Sequence, residues 1–567
     1  MHSVAVRSVF RSSNPLRGGL LVGAMLLPAP FLAAAQTVPA ASPATQVRPV
    51  GDTLYPTLGQ AGLDAVHYDV HLTVTQPGTR ALSGDVTATL RARQSLPLIS
   101  LDFLGPAVTA ALWDGQPVPF RQDRAGGKLL ILRALPAGQE ARVTLRYAGM
   151  AGVLPDPVFP FTLGWQAVPD PLNAAGGANF AFSEPDGART FLPVNDHPSD
   201  PATFTVTLTV PPGTTAAASG FRGQVTDTPG AHTVTFHQNR PIPTYALAMH
   251  LGPLEAVDSP GVPVGTGGAL VARRDYFPPG TADAARAPYR RTGEILEALS
   301  DWFGPYPFAT YGSAVVTARL PALETATLST MPVTSSSERV IVHEAAHQWF
   351  GNTVTLRDWS DVWLNEGFAT YAELLWAEHQ GQDEQALADA WHATLQRRGT
   401  RPLIAVTPDQ MFDTSAYQRG ALALHALRRQ VGDDAFRQFL RGYAAGEAGA
   451  VVGTGDLLAY VHRTLGPGAA VLLRQWVEAP ELPSYGLRLN GLQSPFNRSE
   501  ASGSNTGSGR GAGNPVKSRI VGETNGIRIT PPRSGNPDFA LRNVGYLTLA
   551  AAGGVRSAHV AIWKEHR

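Results

Sequence analysis

The chain has 567 residues, 43% of them hydrophobic and 16% charged, which is enough apolar content for roughly two to four domains with real cores. Lys+Arg and Asp+Glu balance at 45 each, which argues against nucleic acid or any other partner held through bulk charge. The absence of cysteine excludes disulfides, thiolate metal sites, iron–sulfur clusters and cysteine nucleophiles, so any metal must be held by His, Asp or Glu.

Residues 1–35 read as an address. Arg7, Arg11 and Arg17 precede an apolar stretch from Leu20 that closes on Ala33-Ala34-Ala35. These are the parts of a secretory signal peptide, with cleavage expected before Gln36. Pro28 and Pro30 interrupt the stretch, and its unbroken part is well short of the ~20 residues needed to span a bilayer. The expectation is an exported chain, periplasmic or extracellular, with no stable membrane insertion after leader removal. Residues 36–52, rich in Pro, Ala and Thr, read as a flexible lead-in.

From 53 to 254 short alternating runs dominate, among them His67–Val74, Asp85–Ala92 and Phe204–Val210. Bounded by Gly, Pro or Asp, they predict an antiparallel β-sandwich or saddle. Beyond Leu254 the pattern lengthens to helical spacing, and 255–490 is expected to form a mainly helical unit. One helix is expected from Ala282 to Phe303, stopped by Gly304-Pro305. Another opens on a capping-box pattern of Ser335 and Glu338, and further helices are expected at 361–380, 384–398, 416–431 and 433–444. The tail, 491–567, carries no chemical motif. Its Ser, Gly, Asn and Ala run from 501 to 513 cannot bury a core. The fold class is thus α+β and multidomain.

The chemistry concentrates in His343-Glu344-Ala345-Ala346-His347. On a helix, positions i and i+4 share a face, so both imidazoles can reach one ion. Eighteen residues separate His347 from Glu366, enough for a loop and a returning helix that would bring a third ligand. Two His and one Glu with an open fourth position form the hydrolytic zinc pattern, with Glu344 as the general base beside the water. One zinc per chain is expected.

The run His343–Asn352 together with Trp363-Leu-Asn-Glu-Gly-Phe-Ala resembles the gluzincin aminopeptidases of the aminopeptidase N and leukotriene hydrolase type. The resemblance extends over about 53–490, through Ser183–Arg189, Phe191–Pro198 and Asp301–Phe308. It implies a thermolysin-like peptidase domain behind the β domain, with the site between them. It also implies roles for residues that spacing alone does not assign. Tyr417, in Tyr417-Gln-Arg-Gly-Ala, corresponds to the family tyrosine that donates to the oxyanion. Glu324 corresponds to the glutamate that holds the free amino group of a peptide, and Glu184 to a second contact from the β domain. Three neighbours depart from the family pattern: Pro321 and Thr325 replace Gly and Asn around Glu324, and Phe182 replaces the Gln two residues before Glu184.

The implied function is a zinc aminopeptidase acting on peptides with a free N-terminus. Two alternatives stand beside it: a thermolysin-like endopeptidase, which would need neither Glu324 nor Glu184, and a non-catalytic binding relative. The latter type typically loses zinc ligands, whereas His343, Glu344, His347 and Glu366 are all present. The sequence assigns no preferred first residue and no oligomeric state.

Overall fold

A computed structural model of the chain describes residues 47–170, 176–334 and 336–484. The expected leader, most of the lead-in, Ser335 and the tail from 491 lie outside the described residues. Residues 47–52 are tied down instead of flexible. Ala61 N–H donates to Arg48 O at 2.8 Å and Val50 N–H to Leu58 O at 3.2 Å. Asp52 is buried, with its carboxylate 3.0 Å from His197 Nε2 and accepting Trp359 N–H at 2.7 Å. A compositional reading cannot see one carboxylate that gathers donors from distant segments.

The first layer is an eight-stranded sheet. In spatial order its strands are Phe221–Thr228, Ala231–Ile242, Ala202–Val210, Leu63–Thr73, Ala81–Ala92, Glu140–Met150, Ala107–Trp113 and Gln116–Pro117. Ala202–Val210 shows why it forms. Ala202, Phe204, Val206, Leu208 and Val210 all point into the core, while the alternate threonines pair outside, Thr207 with Thr235 at 3.0 Å and Thr209 with Thr233 at 3.1 Å. The sheet is not wholly antiparallel. Leu63–Thr73 and Ala202–Val210 run parallel, Val70 opposite Val206. Alternation fixes which face is buried but not which strand lies alongside, so the pairing was not readable.

A second sheet of this β region orders Thr215–Ala218, Met249–Gly252, Ala178–Phe182, Thr162–Val168 and Leu154–Pro155. Its strand Ala178–Phe182 delivers the chain to Glu184.

Beyond Leu254 the chain makes a five-stranded sheet before the main helices, which the helical reading of this region missed. Glu255–Val262 pairs antiparallel with Val271–Phe277, and Val271–Phe277, Ser313–Val316 and Ser329–Pro332 then run parallel, with Thr310–Tyr311 alongside. The strands Ser313–Val316 and Ser329–Pro332 are buried on both faces, so they carry no alternation.

The helices follow as α1 (Asp283–Arg286), α2 (Thr292–Phe303), α3 (Glu338–Ala346), α4 (Trp363–His379), α5 (Glu384–Arg398), α6 (Gly420–Val431), α7 (Asp433–Gly446), α8 (Thr454–Leu465) and α9 (Pro467–Glu478). The single helix expected over Ala282–Phe303 is split by a 3₁₀ segment, Ala287–Arg291, which contains Pro288. Helix α2 stops where Gly304 takes φ +90°. Helices α8 and α9 were not anticipated.

Candidate active site

Helix α3 is capped by Ser337, whose side chain accepts Val340 N–H at 3.4 Å. The cap is therefore two residues later than the expected Ser335. The last helical residue is Ala346, but His347 keeps helical dihedrals (φ −59°, ψ −19°), so His343 and His347 still leave one face. Their ring centroids lie 4.8 Å apart. Helix α4 returns and presents Glu366 from its first turn. Glu366 Oε2 sits 3.2 Å from His343 Nε2 and 3.7 Å from His347 Nε2.

The second ring nitrogens are committed elsewhere. His343 Nδ1 lies 3.0 Å from Glu373 Oε1, and His347 Nδ1 lies 3.1 Å from Phe350 O. Glu373 is itself held by Arg339 Nε. Each Nδ1 donates to an acceptor, so each Nε2 is turned toward Glu366. The ligand atoms of His343, His347 and Glu366 all fall within 4.8 Å of one another. Two oriented imidazoles and one carboxylate, with no thiolate, fit zinc. Burial takes His347 down to about 4, which keeps its imidazole neutral and able to ligate. Burial also pulls on His343, but the hydrogen bonds to Glu366 and Glu373 outweigh it and hold this imidazole well above its ordinary value.

The cleft is crowded with carboxylates. Glu344, next along α3, is buried, and burial pushes its pKa well up, with Glu324 and Glu366 adding to the rise against the pull of His343. Glu324 is pushed up to about 8, first by burial and then by Glu366. Glu184 is raised by burial and then by Glu324. Ligand oxygens of Glu184, Glu324 and Glu366 lie within 4.8 Å of one another, and Glu324 also meets Glu344 and His347 within that span. One oxygen of Glu184 and one of Glu324 are buried without a hydrogen-bond partner. Such a group calls for positive charge beyond what His343 offers.

Glu324 is carried by a loop. Leu323 pairs with Thr330 through reciprocal backbone bonds of 2.9 Å, and Asn352 Nδ2 donates to Glu324 O at 2.7 Å. Thr325, which stands at the departure from the family pattern, turns its hydroxyl inward to Leu328 O at 2.5 Å. Phe182 is packed with Leu163, Phe180, Val316 and Leu323, so the position two residues before Glu184 joins an apolar cluster that reaches the Glu324 loop.

Tyr417 lies on a single π-turn, Ser415–Arg419, of the kind that often marks functional sites. Its ring stacks on His343 at 5.8 Å and 18°. Two features hold the turn. Arg419 is buried and donates to Trp476 O at 2.8 Å, Arg401 O at 2.6 Å and Ala479 O at 2.6 Å. Gly420 meets Gly367 so closely that a Cβ on Gly420 would sit 2.8 Å from Gly367 Cα.

All seven residues singled out from sequence thus come together. Sequence reasoning missed Glu373, Tyr245, Asn352 and Asn365. Glu373 had a usable signal, lying two turns after Glu366 on one helix face. Tyr245, whose hydroxyl accepts from Asn365 Nδ2 at 3.2 Å, had none.

Residues 64–246 match the Peptidase M1 N-terminal domain, and 312–476 the Peptidase family M1 domain. The chain is 27% identical to Aminopeptidase M1 of Arabidopsis thaliana over 453 residues, 72% of this chain and 49% of that protein. It is 28% identical to Aminopeptidase B of Mus musculus, covering 65% of this chain and 60% of the relative. The chain therefore spans about half to three-fifths of these two relatives. A two-domain M1 zinc metallopeptidase mutant solved with L-tryptophan superposes with a TM-score of 0.73 at 51% identity, over 77% of this chain and 99% of the other. An M1 zinc metallopeptidase mutant from Deinococcus radiodurans, solved with a Tyr-Ser-Ala substrate, gives 0.73 at 50% over the same shares. This chain belongs to the M1 family of zinc metallopeptidases.

Proposed function

We propose that the protein is an exported zinc aminopeptidase that removes the first residue of peptides with a free N-terminus. One observation carries the exopeptidase reading: Glu184 and Glu324 each keep a buried oxygen without a partner, beside the Glu366 end of the His343–His347–Glu366 group. A peptide ammonium supplies the positive charge and the donors that these oxygens lack. With the amine held there, only the first peptide bond comes alongside the metal ligands. Solved relatives that hold L-tryptophan, L-arginine or Tyr-Ser-Ala support the same substrate class.

His343, His347 and Glu366 would hold the zinc. When bound, zinc lowers the pKa of a water toward ~7 and polarises a carbonyl. Glu344 accepts the proton of the attacking water and hands it to the leaving amine. Tyr417 directs its hydroxyl toward the developing oxyanion, and Glu373 and Phe350 O keep both ligating rings in the required tautomer.

Export is supported by the charged start, apolar stretch and Ala-rich end of residues 1–35. Among the described residues no helix is long and apolar enough to cross a membrane. Intact-mass measurement of the exported protein should place the mature N-terminus at Gln36.

The function is tested with a panel of aminoacyl fluorogenic substrates. Turnover should vanish with phenanthroline and return on adding zinc. Turnover indifferent to the chelator would overturn the zinc reading.

A further inference from the structure

The loop that carries Glu324 is held from two sides. On the side of the β region, Ala246 O accepts Ala326 N–H at 2.7 Å and Ser219 Oγ donates to Ala326 O at 2.7 Å. On the other side stands the segment that continues α3 beyond His347. Gln348 Oε1 accepts Thr327 N–H at 2.8 Å, and Asn352 Nδ2 donates to Glu324 O at 2.7 Å. Gln348 Nε2 also points at that carbonyl, but from 3.5 Å and shared with Glu344 O at 3.4 Å, so Asn352 makes the strong bond.

Asn352 is fully buried, and the metal-binding segment itself sets its place. Its own N–H donates to the carbonyl of the zinc ligand His347 at 3.1 Å. Gly351 N–H to Val354 O at 2.8 Å and Val354 N–H to Trp349 O at 3.0 Å close the turn that presents it. One residue therefore joins the backbone of a metal ligand to the backbone of the amine contact. Their side chains are neighbours as well, since ligand atoms of Glu324 and His347 fall within 4.8 Å of each other.

The orientation of the amide carries a penalty. With Nδ2 on the Glu324 carbonyl, Oδ1 is buried without a hydrogen-bond partner. An unpaired buried acceptor is destabilising, and an apolar residue of the same size would avoid it. What the asparagine gains is the position of Glu324.

We propose that Asn352 is a positioning residue for amine recognition: it fixes the Glu324 backbone relative to His347, so that the substrate ammonium is held in register with the metal ligands. The proposal rests on the reading of Glu324 as the amine contact.

The test compares wild type, Asn352→Leu, Glu324→Gln and the double variant on one peptide in free and N-acetylated forms, with kcat, KM, zinc content and Tm for each. Asn352→Leu keeps the size and removes both the Nδ2 donor and the orphaned Oδ1, so Tm and zinc should stay near wild type. KM for the free form should rise about five- to ten-fold, with kcat within about two-fold of wild type. The acetylated form has no ammonium to place, so its kcat/KM should hardly change. The double variant should be no worse than Glu324→Gln, because both changes act on the same contact. Asn352→Ala, which removes the same donor, is read in the same way where Asn352→Leu does not fold. An unchanged KM in the Asn352 variant beside a raised KM in Glu324→Gln would overturn the role of Asn352 alone. So would equal losses for the free and acetylated forms, or effects that multiply in the double variant. Loss of zinc and a collapse of Tm in both Asn352 variants would make the residue structural and likewise overturn the proposal. If Glu324→Gln itself keeps a wild-type KM, the reading of Glu324 fails and the proposal falls with it.

Discussion

The two ends of the active site are built in different ways. At the metal end, His343, His347 and Glu366 come from two neighbouring helices, and each imidazole is oriented by a contact close at hand, Glu373 for one and Phe350 O for the other. At the amine end, Glu184 follows a strand of the β region and Glu324 sits on a loop. The first arrangement follows from helical periodicity. The second depends on hydrogen bonds between segments far apart in the chain, such as Ala326 N–H to Ala246 O. Changes at the metal end should therefore abolish chemistry for every substrate, and changes at the amine end should act selectively.

The largest effect should come from His343→Ala. The two remaining protein donors cannot complete a tetrahedral site, so both stoichiometric zinc and turnover should be lost. Metal analysis that still finds about one zinc per chain would break the ligand assignment. Next comes Glu344→Gln, which leaves the ligands in place and removes the base. Zinc should stay near one per chain while kcat falls by ~10²-fold or more. Full activity in this variant would exclude Glu344 as the proton acceptor.

Tyr417→Phe should lower kcat by ~10²-fold with a smaller change in KM, because the oxyanion develops only after the ground state. An effect confined to KM would move Tyr417 from chemistry to binding. The smallest of these effects is expected at Glu373→Ala. Its loss frees the His343 ring, and a chelator titration should show zinc held ~10- to 100-fold more weakly. Unchanged affinity would mean that Arg339 and packing alone orient the ring.

The same contrast explains what the sequence revealed. His343, Glu344 and His347 were legible because a 3.6-residue period places them without knowledge of the rest of the fold, and Glu366 because the eighteen residues after His347 allow a loop and a returning helix. Tyr417, Glu324 and Glu184 were reached through resemblance, since nothing local marks a tyrosine or a loop glutamate as functional. Tyr245 was invisible: the donor to its hydroxyl, Asn365, lies 120 positions away. The β-rich first region was legible from alternation, as in Ala202–Val210, but its parallel pairing with Leu63–Thr73 was not. The five-stranded sheet after Leu254 was hidden for the opposite reason, because strands such as Ser313–Val316 are buried on both faces and show no period. Helices α8 and α9 meet at Gly466-Pro467, which interrupts the pattern where one longer helix would have stood out.

The central claim is that this cleft reads a free amine beside a zinc site. Its most direct test is kcat/KM for one peptide in free and N-acetylated forms, with wild type and Glu324→Gln side by side. The account predicts that wild type strongly prefers the free form. Glu324→Gln should lower kcat/KM for that form by roughly ten- to two-hundred-fold, the scale of a ~1.5–3 kcal/mol charged hydrogen bond, and leave the acetylated form almost unchanged. Equal turnover of the two forms by wild type would contradict it and make the protein an endopeptidase.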